Sequence, residues 1–285
     1  MVQYKKFKSL RNKKVGSPFT SQITGNEWNI EEEKGTDLNV EPVNLKKGTV
    51  LAFIKVFMFL FQAVPLPVAL FSLSGTNGTE DMSPNRATKA VSKNIKFAPG
   101  PYGNPNGSVF FDGDESSYVK LKNTGELDAR FSISVFTWVH LDNGNGTIFE
   151  YGCSVSVSHL TLGIEVRYMG RKTSKIYLLH KENILLANAW NFIGTTYDYH
   201  TGIATVWVNN NTVMVRYIGE EMELATQSDV RVGASSEQEK LFRGRISCLQ
   251  FYDQALSVDQ IIEVKARCNN TSKYVWTVKT GNGLF

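Results

Sequence analysis

Trp190-Asn-Phe-Ile-Gly-Thr-Thr-Tyr-Asp-Tyr-His-Thr-Gly-Ile-Ala-Thr-Val-Trp-Val-Asn209 is the stretch whose reading decides the fold. Its first half alternates with period two, Phe192, Gly194 and Thr196 on one side against Ile193, Thr195 and Tyr197 on the other, which is the repeat of a strand. Turn-forming residues between 198 and 202 reverse the chain, and Ile203, Thr205 and Trp207 then alternate with Ala204, Val206 and Val208. Both faces of this second strand carry apolar bulk, so it belongs inside a two-sheet sandwich, where both faces are covered. Such a hairpin points to the scaffold of a binding module and names no ligand.

Outward from the hairpin the same punctuation continues. Short strands are predicted at 108–111, 118–121, 131–141, 147–151, 160–168, 175–180, 190–197, 203–208, 212–217, 230–232 and 243–252, separated by turns rich in Asn and Gly. Ser257-Val258-Asp259-Gln260 then has the form of a capping box, and Ile261, Ile262 and Val264 give the following short helix one apolar side to lay on the sandwich. The fold class is therefore all-β: a two-sheet antiparallel jelly-roll sandwich with one short C-terminal helix.

Four segments carry a family resemblance. Ser108-Val-Phe-Phe-Asp-Gly113 with Tyr118-Val119 looks like the opening strands of a laminin-G-like domain, and Phe131-Ser-Ile-Ser-Val-Phe-Thr-Trp-Val139 is similar to its central strand. The opening hairpin matches its Trp-containing strand, turn and Trp-Val-Asn strand, and residues 242–257 match its closing strand and turn into a terminal helix. In this order over residues 99–268 the chain resembles the laminin-G-like, concanavalin A-like lectin superfamily, especially its pentraxin-like branch. The resemblance implies an extracellular binding domain for glycans, matrix proteins or cell-surface partners, often with calcium. The chain lacks the long acidic loop with which pentraxins hold paired calcium ions.

At 285 residues the chain has room for such a domain and something smaller. Residues 1–49 hold nine basic and six acidic residues, leaving 22 basic and 21 acidic for the rest, so the sandwich is nearly neutral. A nucleic-acid surface needs a concentrated basic face, and the basic cluster here (Lys5, Lys6, Lys8, Arg11, Lys13, Lys14) sits in a polar, aperiodic segment that reads as a disordered, solvated N-terminal region.

Residues 50–73 are apolar over a length that can cross a bilayer, interrupted by Lys55, Pro65 and Pro67. Three readings stand open: an uncleaved signal anchor, a signal cut after the small residues at 72–74, or a buried core segment. The first two send the remainder across the membrane, because Lys46 and Lys47 hold the N-terminus in the cytoplasm, giving a single-pass type II or a secreted protein. N-glycosylation sequons at Asn77, Asn106, Asn145, Asn210, Asn269 and Asn270, with none before the apolar run, fit that topology. Residues 74–98 read as a linker or stalk and 269–285 as a tail.

Cys248 and Cys268 bracket a predicted strand and helix and are expected to be bridged, leaving Cys153 free or paired between molecules. Asp112, Asp114 and Asp253 lie at turns where this superfamily can hold a structural calcium ion, although aspartates in turns commonly bond their own backbone instead. Tyr102, Tyr168 and Tyr199, on or beside loops, are the rim candidates for ligand contact, whereas Trp138, Trp190 and Trp207 follow the strand phase and are expected in the core. Catalysis finds little support. Jelly-roll hydrolases set carboxylates as Glu-x-Asp-x-x-Glu, and the nearest match, Glu126-Leu-Asp-Ala-Arg-Phe131, ends on a phenylalanine ahead of its strand. His140, His159, His180 and His200 show no metal-ligand spacing, and no nucleophile elbow occurs. The expected function is a non-enzymatic extracellular module recognising glycans through loops at one end of the sandwich, with a protein-binding adhesion module as the alternative.

Overall fold

The computed structural model describes residues 64–142, 144–236 and 240–269; the expectations for 1–49, for the first part of the apolar run and for Asn270 and the tail beyond it fall outside these. In chain order the strands are β1 (Ala69–Phe71), β2 (Ala90–Lys93), β3 (Lys96–Ala98), β4 (Ser108–Asp112), β5 (Tyr118–Leu121), β6 (Ile133–Leu141), β7 (Asn145–Tyr151), β8 (Val155–Leu160), β9 (Gly163–Met169), β10 (Ile176–Lys181), β11 (Trp190–Asp198), β12 (Ile203–Val208), β13 (Asn211–Tyr217), β14 (Val230–Val232) and β15 (Arg243–Tyr252), followed by helix α1 (Val258–Val264). They form two antiparallel sheets, β13-β12-β11-β6-β15-β4-β3 with β1 also on β15, and β10-β9-β8-β7-β14-β5-β2. The expected jelly-roll sandwich is what forms.

The alternation in the opening hairpin divides between two apolar clusters. Ile193, Tyr197, Ala204, Val206 and Val208 point between the sheets into the main core, with Val135, Phe149, Tyr151 and Phe251. Phe192 and Trp207 point the other way, into a smaller cluster with Phe136, Tyr252, Leu256, Ile261 and Val264 beneath α1. Trp207 is thus buried as expected, but under the helix. Gly194 lies where a Cβ would come within 2.1 Å of the Phe136 ring, so only glycine lets Phe136 stack on Phe192 at 5.6 Å.

Ser257 caps α1 as its sequence predicts, its hydroxyl accepting from the Gln260 N–H and the Gln260 side chain accepting from the Ser257 N–H. The helix end is bound back to the sheet by the Cys248–Cys268 disulfide and by a hydrogen bond from Gln250 Nε2 to the Val264 carbonyl at 3.0 Å. Cys153 is free and exposed.

Of the three readings left open for the apolar run, the described part agrees with the buried core segment, and two further expectations need correction. The second half of the apolar run is part of the sandwich: Ala69, Leu70, Phe71 and Leu73 are buried, and β1 pairs with residues 249–251 of β15. A cut at 72–74 would sever β1 from the fold, and the domain begins well before residue 99. The polar stretch 74–98 is no free linker, because Asp81 accepts the N–H groups of Leu70, Ser83 and Thr88 at 2.9–3.1 Å and fastens it to β1, after which β2 and β3 join the two sheets. The strand predicted at 160–168 begins only at Gly163, as β9, and residues 155–160 form a strand the sequence reading lacked, β8, which turns at 161–162 and pairs Leu160 to Gly163. Among the described residues no helix is long and apolar enough to cross a membrane.

Candidate ligand-binding site

β11 and β15 run in the same direction, each antiparallel to β6 between them, so their C-terminal ends and the start of β6 meet at one end of the sandwich. There the β11–β12 turn and the loop from β15 into α1 enclose a cleft of about 530 Å³ lined by Phe131, Ser132, Asp198, Tyr199, His200, Asp253, Gln254 and Ala255. A second depression of about 270 Å³ adjoins it across Asp198, Gln254 and Ala255, with Thr196, Thr205 and Trp207 on the sheet and Leu256 and Gln260 on the helix side.

Local chemistry fixes both loops. Asp198 Oδ1 accepts the N–H groups of His200 and Thr201, both at 2.9 Å, which is the habit of aspartate at a turn. Ser132 Oγ accepts the Tyr199 N–H at 3.0 Å; Ser134 Oγ donates to the Gln254 carbonyl at 2.6 Å and accepts the Leu256 N–H at 2.9 Å. Two serines spaced two apart on one chain segment therefore position both walls. Beneath them the Tyr197 hydroxyl donates to the Gly219 carbonyl at 2.9 Å and accepts the Met222 N–H at 3.2 Å, and burial pushes its pKa up to about 12. Phe131, 51% exposed, meets Tyr199 edge-on at 5.1 Å, and Tyr199 meets His200 edge-on at 5.5 Å. Arg130 lies 5.5 Å over the Phe131 ring, with its Nε and Nη2 donated to Glu223 at 2.9 and 2.7 Å. The result is an apolar ring surface rimmed by carboxylates, an imidazole and an amide.

Of the three rim tyrosines, Tyr199 is in this cleft. Tyr168 is corrected to a core residue: it is fully buried on β9, its hydroxyl 2.6 Å from Thr195 Oγ1, and burial raises its pKa. Tyr102 closes the fold instead of facing a ligand, accepting from Trp138 Nε1 at 2.9 Å and donating to the Lys265 carbonyl at 2.6 Å. The proposed calcium ligands are not brought together. Asp112 pairs with Arg243 at the start of β15 and Asp253 follows its end, a ten-residue strand away, roughly 30 Å. Asp112 Oδ1 accepts the Asp114 N–H, and Asp114 accepts the Ser116 N–H and hydroxyl, bonds that hold its pKa below the ordinary carboxylate value. Among the described residues no group of three His, Cys, Asp or Glu is placed to hold a metal ion. Asp128, from the imperfect hydrolase motif, is taken up by Arg171 and by Thr226 at 2.8 Å.

Phe131, Asp198, His200 and Gln254 were not among the residues expected to contact a ligand. Phe131 keeps the phase of the core-facing Ile133 and Val135, but it precedes the strand, so its ring stands at the mouth of the sandwich. Among the sequons, Asn106, Asn145 and Asn269 are exposed; Asn77 donates its amide to Ser72 Oγ at 3.3 Å, and Asn210 is half-buried with its Oδ1 unpartnered.

No curated protein matches the chain in sequence. Among solved structures, the binding domain of botulinum neurotoxin serotype G is similar at TM-score 0.57 and 16% identity, over 73% of this chain and 51% of that one. The binding domain of Paraclostridial mosquitocidal protein 1 gives 0.58 and 14%, over 72% and 53%. The ligand-binding domain of botulinum neurotoxin serotype D, solved in complex with N-acetylneuraminic acid, gives 0.55 and 13%, over 70% and 51%. The chain thus spans about half the length of these domains, and the likeness is one of fold. The sequence profile of the concanavalin A-like lectin/glucanases superfamily matches residues 112–262, from the end of β4 into α1, and this chain belongs to that superfamily.

Proposed function

We propose that this chain is a non-enzymatic carbohydrate-binding module, acting on the extracellular side of the secretory pathway, whose site is the cleft of Tyr199, Phe131, His200 and Asp253. The reading rests on one observation: the exposed Phe131 ring set edge to face with the half-buried Tyr199 ring, surrounded by Asp198, His200, Asp253 and Gln254. A pyranose has an apolar C–H face and a rim of hydroxyls, and it needs that combination of ring surface and planar hydrogen-bonding groups. The disulfide and the exposed sequon asparagines support the compartment. A glycan array with wild type and Tyr199→Ala, each with and without a chelator, tests the function. Wild type is expected to bind one glycan class regardless of chelator, since Asp112 and Asp114 lie far from Asp253, and Tyr199→Ala to lose it. Equal binding by the variant would move the site elsewhere, and release of new reducing ends from the bound glycan would overturn the non-enzymatic reading.

The adhesion alternative is favoured by the sheet edge that borders the smaller depression. On β12 and β13, Ile203 pairs with Tyr217, and Val215 lies one position along the same face, the three being 39, 61 and 58% exposed. Retention on matrix proteins that Val215→Lys abolishes, with no sugar bound, would favour it.

A further inference from the structure

The cleft is double, and its parts differ in chemistry. The larger depression offers the Tyr199 and Phe131 rings. The smaller one offers hydroxyls: Thr201 and Thr205 engage theirs in no hydrogen bond among the described residues, while Ile203 and Trp207 supply apolar surface beside them. Ser257 and Gln260, also in this depression, are occupied by the helix cap. Asp198 and Gln254 form the saddle that both share, and Asp253 stands beside it. Among the described residues no lysine or arginine lines either depression, and Arg130, which lies over the Phe131 ring, is bound to Glu223 together with Lys172.

Resting on the carbohydrate-binding reading, we infer that the ligand is an uncharged oligosaccharide of at least two residues, one sugar on the Tyr199–Phe131 rings and the next across the saddle among Thr201, Thr205 and Ile203. A single pyranose on the rings leaves the threonine hydroxyls unused, whereas a second residue engages them without displacing any bond of the fold. A carboxylated sugar would set its charge against Asp198 and Asp253 with no lysine or arginine in the lining to answer it and Arg130 already paired with Glu223, and like charges at short range disfavour binding.

Calorimetric titration with neutral mono-, di- and tetrasaccharides of common hexoses and N-acetylhexosamines, and with the sialylated forms of the same disaccharides, tests this. Affinity is expected to rise about tenfold from mono- to disaccharide and to fall about as much on sialylation. Thr205→Val and, separately, the exposed-site variant Ile203→Arg should bring disaccharide affinity down to that of the monosaccharide and leave monosaccharide binding unchanged, which also reports an intact fold. Asp253→Asn should restore part of the binding to sialylated probes. Monosaccharide and disaccharide bound equally, or sialylated probes bound more tightly, would overturn this inference and leave the carbohydrate site standing; no sugar bound at all would overturn both.

Discussion

The two faces of the β6–β11–β12 sheet bury aromatic residues in different ways. Inside, Phe251 sits edge-on to Phe149 and Tyr151 at 6.0 and 6.2 Å in a core closed by the second sheet. Outside, Trp207 and Phe192 are covered by one short helix, and beyond its edge the same surface becomes the threonine-lined depression. A face closed by a whole sheet can only be scaffold, whereas a face closed by seven residues of helix leaves its margin available for contact. The same strands thus supply stability on one side and a site on the other.

The comparison breaks first at the inner face. Phe251→Ala should lower stability by about 4–5 kcal/mol, because a closed interior cannot collapse onto the space left, while the surviving folded protein should keep its ligand affinity. Denaturant titration beside a binding isotherm checks both. Trp207→Ala should cost less, about 3 kcal/mol, since one edge of the cavity opens to the depression, and it should weaken oligosaccharide binding as well. Equal losses at the two sites with unchanged binding would erase the distinction between the faces.

A third effect appears only in acid. His159 is 1% exposed, edge-on to Phe242 at 5.3 Å, and neither ring nitrogen has a hydrogen-bond partner. Burial depresses its pKa to about 4. In the unfolded chain it binds a proton near pH 6.5, so between about 6.5 and 4 the unfolded state holds more protons than the folded one. Its neutral burial is therefore fully tolerated above 6.5, and about 3 kcal/mol of stability is lost as pH falls to 4. His159→Leu should flatten most of that slope in stability measured against pH. His140, held below its ordinary value by burial and by Arg245, keeps the remainder.

What could be read from the sequence follows the same division. Strand phase, turn residues and the capping box are local, so the hairpin, the helix and the sandwich class were legible. β1 was hidden because a buried three-residue strand within an apolar run looks like any apolar segment, and β8 because Val155-Ser-Val-Ser-His-Leu160 runs almost directly into β9. The cleft was less legible than the fold. Tyr199 could be suspected as a loop aromatic, but its partners come from segments far apart in sequence, Phe131 and Asp253. Asp112 and Asp253 have the same turn chemistry, and only the direction of β15 shows that one end of the strand is closed by local hydrogen bonds and the other opens on a cleft.

The smallest effect tests how the helix margin is held. Ser257 lines the smaller depression and caps α1, and its neighbour Leu256 is anchored by Ser134. Ser257→Ala removes an acceptor from the Gln260 N–H and should cost about 1 kcal/mol, the usual loss at a helix N-cap. Loosening the first turn moves Gln260 and Leu256, which wall the depression but not the aromatic cleft. Disaccharide affinity should therefore fall modestly while monosaccharide affinity holds. Ser257→Asp, which can cap as serine does and also suits the helix dipole, should restore both the stability and the disaccharide affinity. If it restores stability alone, the added carboxylate is itself felt by the ligand, and the electrostatic character of the saddle extends to the helix side.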